Sequence, residues 1–155
     1  MPARTFDWRT DPMGTVVAAP EVRARFMRFE PGVPPGGFHT HEESAAIETF
    51  VVLEGALRFD IDDQSVVATA GQAVVAHPHE KHRVSCAGDA PAVLYLTVTP
   101  HCQPTHTHYD AEGNRLPTRP GVTDPTWDGE PATGPSTSPD LGIRTPGTDP
   151  SLRSG

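Results

Sequence analysis

The chain has little that would staple, anchor or steer it from outside. It holds two cysteines, Cys86 and Cys102, too few for a disulfide framework, and they read as buried thiols in a reducing compartment. Its apolar runs are only a few residues long, Phe50-Val51-Val52-Leu53 being typical, which excludes a membrane-spanning helix. The start, Met1 to Trp8, has no apolar stretch after its arginine, so the expectation is a cytoplasmic protein without a secretory signal. Lysine is nearly missing, with Lys81 alone beside eleven scattered arginines, and the net charge of -8 argues against binding nucleic acid by neutralising phosphates. Helical stripes, nucleophile motifs, phosphate loops and dinucleotide fingerprints are missing as well. The glycines at 36, 37, 55 and 71 read as corners of a β fold and open no helix.

Proline, glycine and histidine are plentiful. The 18 Pro and 14 Gly divide unevenly, since eight of the Pro and six of the Gly lie from Pro117 onward, where few apolar residues accompany them. That stretch cannot bury a core, and residues 117–155 are expected to be a disordered tail. Residues 1–20, broken by Pro2, Pro12, Gly14 and Pro20, read as a leader that covers a sheet edge. Between them, 21–116 form one domain. In it, Val22, Ala24 and Phe26 alternate with Arg23, Arg25 and Met27, which is strand periodicity. Further strands are expected over roughly 46–54, 56–62, 65–70, 72–76, 82–86 and 92–99, separated by turns at Gly55, Asp62-Asp63-Gln64, Gly71 and Ala87 to Pro91. Short strands with no helices between them make an antiparallel all-β sandwich or barrel.

Eight histidines stand out, none of them beyond Pro117. His39 and His41, two apart, would share one face of an extended strand and can bind one ion together, although an isolated pair of this kind is more often a solvated strand. The surroundings are more specific. Gly36-Gly37-Phe38-His39-Thr40-His41, then Glu48 and Gly55, resembles the first motif of the cupin superfamily. Gly71 with His82 eleven residues later resembles the second. The resemblance spans about Val22 to Pro100 and implies a double-stranded β-helix, or jelly-roll barrel. It implies that His39, His41, Glu48 and His82 hold one divalent transition metal, with Fe(II) favoured and Zn, Ni, Mn or Co also suited.

The spacing from His41 to Glu48 is longer than the family's usual one, so Glu43, which an undisturbed strand would place on the face of both histidines, is a rival ligand. Glu48 is preferred because it keeps its distance to Gly55 and alternates with Phe50 and Val52. Tyr95 is the expected catalytic group, with Thr97 and Arg58 as further inward-facing candidates. His77 and His79 flank Pro78 in a turn and read as exposed or at a subunit contact. The second pair, His106 and His108, reads as a docked C-terminal arm serving stability or dimerisation in preference to a lid over the ligand. The family resemblance implies a small-molecule substrate, and the leading expectation is a dioxygenase-type oxidoreductase. An isomerase, lyase or cyclase on the same site, or a non-catalytic binding cupin, are the alternatives. No membrane or nucleic-acid partner is expected, and a homodimer formed through the Val22 to Phe29 strand is.

Overall fold

A computed structural model describes residues 4–102 and 104–117. The expected tail from 118 onward lies outside the described residues, as do residues 1–3 of the leader. Among the described residues ten strands run in chain order: β1 (Thr15–Ala18), β2 (Arg23–Phe29), β3 (His39–Thr40), β4 (Ile47–Glu54), β5 (Ala56–Ile61), β6 (Gln64–Thr69), β7 (Ala73–Ala76), β8 (His82–Cys86), β9 (Ala92–Thr99) and β10 (Thr107–His108). They form two five-stranded sheets, ordered β1-β2-β9-β4-β7 and β10-β3-β8-β5-β6, and the strands pair antiparallel. Among the described residues no helix is long and apolar enough to cross a membrane.

The strands form where the apolar alternation is strongest. In β4, Glu48, Phe50 and Val52 are buried while Ile47 and Glu54 are exposed. In β5, Leu57 and Phe59 turn inward. These residues join Ala46, Ala68, Ala76, Leu94, Leu96 and Val98 in one core between the sheets. Turn chemistry sets the corners. Gly55, at φ +72°, links β4 to β5, and Asp62, also at positive φ, closes the β5–β6 hairpin.

The leader does cover an edge: β1 pairs with β2, and the Phe26 amide donates to the Gly14 carbonyl at 2.9 Å. Strand β2 differs from the expectation in two ways. Its cavity-facing residues are Met27 and Phe29, so by alternation Arg23 and Arg25, not Ala24 and Phe26, share the inner face. The outer face is equally covered, which hides the alternation: Ala24 and Phe26 are buried too. Moreover, β2 is hydrogen-bonded on both sides, to β1 and β9, so within this chain it is no edge on which a second copy could add a strand.

Candidate metal centre

Strand pairing brings the site together. His39 sits opposite His82 in the β3–β8 pair, while Glu48 comes from the other sheet, where its neighbours across the strands are Ala76 and Val98. His41 lies just past β3, and its amide donates to the Pro78 carbonyl at 2.9 Å, which carries the extended line through. His41, Glu48 and His82 are buried, and His39 is nearly so. Three ring nitrogens converge on one oxygen. The Nε2 atoms of His82, His41 and His39 lie 2.7, 2.9 and 3.5 Å from Glu48 Oε2.

The opposite ring nitrogens are also held. His41 Nδ1 donates to the Thr105 carbonyl at 2.7 Å, and His82 Nδ1 to the Glu80 carbonyl at 2.8 Å. A carbonyl oxygen can only accept, so each Nδ1 carries a proton, and in the neutral form of either ring Nε2 would turn a lone pair toward a carboxylate oxygen. Two acceptors that close together require a cation between them. A ring proton would serve, and so would a metal ion, for which such carbonyl-fixed imidazoles are the usual support. His39 Nε2 is buried and makes no hydrogen bond of its own among the described residues. This donor set fits a borderline divalent ion.

The electrostatics point the same way. Burial pushes the His39 imidazole down to about 4, so it stays neutral and available as a ligand. Burial would raise the Glu48 carboxyl, but the surrounding imidazoles of His39, His41 and His82 outweigh it and hold the group well below its ordinary range. For His82, burial lowers and the Glu48 carboxylate raises the proton affinity, and the net direction is up. Burial, followed by the charge of His39, keeps His106 well below the ordinary histidine value.

All four expected ligands therefore meet. Glu43 does not reach them: residues 42–45 turn outward, Ala45 takes φ 53°, and Glu43 pairs with Arg115. The extra residues before Glu48 are thus a surface turn. Tyr95 requires a correction, since it stands on the outer face of β9 against Phe26, with ring centroids 5.7 Å apart. Thr97 shares that outer face with Tyr95, and Arg58 points outward to Asp60 and Ser65. None of the three lines the cavity, whose inward β9 residues are Leu94 and Leu96. His77 and His79 are exposed.

His106 is the residue that the sequence reading set aside. Its ring is 4.8 Å from that of His39 and 4.6 Å from that of His41. Ligand atoms of His39, His41, Glu48 and His106 all lie within 4.8 Å of one another, a set that leaves out His82, which reaches Glu48 Oε2 at 2.7 Å. The one available signal was the repeated His-x-His spacing. Beside the cluster opens a cavity of about 430 Å³, walled by Met27, Phe29, Phe50, Leu94 and Leu96, with His39, Glu48, His106 and His108 on its polar side.

The family model for the cupin domain matches residues 25–99. That segment is a cupin domain. Solved structures agree on the fold. A conserved protein with a double-stranded β-helix domain from Klebsiella pneumoniae matches with a TM-score of 0.57 and 18% identity, covering 64% of this chain and 91% of that one. A cupin 2 domain-containing protein from Halorhodospira halophila gives 0.56 and 22%, covering 70% and 73%. A cupin 2 conserved barrel domain protein from Salinispora arenicola gives 0.50 and 22%, covering 64% and 88%. No curated protein matches the chain. The cupin motifs end before the arm, so His106 lies outside the matched segment.

Proposed function

We propose that this cupin is a metal-dependent enzyme that oxidises a small organic molecule with dioxygen, using Fe(II) held by His39, His41, Glu48 and His82. The observation that carries the reading is the convergence of three imidazole Nε2 atoms on Glu48 Oε2 at the side of an apolar cavity. Bound iron would supply a site where substrate and dioxygen chemistry meet. The chain's own part is to hold the donors, through Thr105 and Glu80 behind two of the rings, and to keep water away from the reacting molecule. Met27, Phe29, Phe50, Leu94 and Leu96 favour a substrate with an apolar body. A polar oxygen of that substrate would face the metal.

The test is anaerobic purification, elemental analysis, and oxygen uptake with a panel of phenols, enols and thiols. Iron at one per chain with uptake supports the reading. Zinc or nickel without uptake turns it to an isomerase, lyase or cyclase on the same scaffold. Metal content that survives His82→Ala unchanged removes the site itself.

A further inference from the structure

The two His-x-His segments are paired. In the β3–β10 ladder Thr40 opposes Thr107 and His39 opposes His108, and the same register carried one step further sets His41 against His106. Both threonines are buried. Because side chains two apart share a face, this antiparallel pair turns four imidazoles to one side. The rings follow the pattern: His41 and His106 lie 4.6 Å apart, His39 and His108 5.9 Å, and His106 and His108 stack 5.7 Å apart.

The arm that carries His106 is tied down on both flanks. Before it, the Thr105 carbonyl accepts from His41 Nδ1 at 2.7 Å, so residues next to each other in sequence touch the cluster from behind and from above. After it, the Tyr109 amide donates to the Phe38 carbonyl at 3.0 Å, Lys81 Nζ sits 4.1 Å from the centroid of the Tyr109 ring, and Arg115 pairs with Glu42 and Glu43. The contacts after His106 lie outside the cluster and do not use its nitrogens.

We propose that His106 is a fifth protein ligand of the metal, delivered by the arm, which closes one of the two coordination positions that His39, His41, Glu48 and His82 leave open on an octahedral ion. The inference rests on the metal-enzyme reading above and sharpens it. Its consequence concerns substrate class: with one position left, the substrate binds through a single oxygen or nitrogen, does not chelate, and meets dioxygen without dioxygen taking a metal position. His108 is exposed and lies outside the set of mutually close donors; His82 lies outside it too, but its Nε2 is 2.7 Å from Glu48 Oε2.

The experiment uses the full chain and Co(II) alone. Affinity is read by competition with a chelating indicator, and coordination by visible absorption. His106→Ala is expected to weaken Co(II) binding at least tenfold and to change the absorption, added imidazole restoring the wild-type spectrum, whereas His108→Ala leaves both as they were. In the wild-type Co(II) protein, the shifted ring N–H resonances should count four imidazole ligands. Three resonances, or a His106→Ala protein whose affinity stays within twofold and whose spectrum is unmoved while His82→Ala loses binding, would overturn the fifth ligand and leave the proposed function standing. A folded wild-type chain that binds no Co(II) sinks both. The resonance count needs no variant, so it decides the matter even where a substitution loosens the arm.

Discussion

Asp60 shows how single residues outside the site are held and what holds them. It sits on β5, opposite Arg83 of β8, and accepts from Arg58 Nε at 2.7 Å, Arg83 Nε at 2.9 Å and Ser65 Oγ at 2.5 Å. Burial would raise its carboxyl, but these three donors win and bring it to about 2. Arg83 in turn lies over the Phe38 ring at 4.3 Å, so the acid steadies the strand next to His82 and the approach to β3. The depressed value fixes the sign. Its contribution is fully present above the unfolded value of 3.8 and is lost as pH falls toward 2. Because both arginines are partly in water, Asp60→Asn should cost only about 1–2 kcal/mol at pH 7. In urea melts the gap between variant and parent should shrink from pH 4 downward. A gap that stays constant to pH 2 would show that the charge is not what stabilises.

At the level of elements, the corner between β4 and β5 is the most demanding. Gly55 adopts φ +72°, and a Cβ there would meet the Pro91 carbonyl oxygen and the Ala92 Cβ, both at 2.8 Å. Gly71, at φ +88°, has nothing within 4 Å. The two glycines separate strain from crowding. Gly71→Ala should cost about 1 kcal/mol, for the left-handed backbone alone. Gly55→Ala should cost roughly 2–4 kcal/mol, because backbone must also shift. Equal losses in denaturant melts would refute the crowding argument. Corners of this kind, with the apolar alternation between them, made seven of the strands legible in the sequence almost to the residue. The others were not. A two-residue strand such as β3 or β10 carries no period, and β1 lies among prolines. Which side of β2 and β9 faces inward was illegible too. Both strands are buried on their two faces, so Phe26 and Tyr95 could pack outside while Arg23 and Arg25 turned in. Of the candidate site, His39, His41, Glu48 and His82 were readable through the resemblance of the two motifs to the cupin family. His106 was not, because its place depends on a pairing between segments more than sixty residues apart.

Across the whole molecule the space between the sheets is divided. On the β4–β7 side, Val52, Leu57, Phe59, Ala68 and Ala76 fill it solidly. On the side of β2 and β9 it opens into the cavity, with the two His-x-His segments as its opposite wall. Stability and chemistry therefore draw on different ends of one interior, and a change at the open end can alter the chemistry without loosening the core. Met27 is suited to test this, as it lines the cavity, is only partly buried, and packs against the edge of the core cluster. Met27→Trp adds bulk where there is room for it, avoiding the penalty of overfilling a packed core. The expected outcome is one metal per chain and a thermal midpoint within a few degrees of the parent. Oxygen uptake should fall at least tenfold for the bulkiest substrates that the parent turns over, while the smallest keep most of their rate. If bulky and small substrates lose rate alike, the tryptophan is acting on the metal site. If neither loses rate, substrate does not enter between β2 and the arm, and the wall formed by His106 and His108 is not the mouth through which the metal is reached.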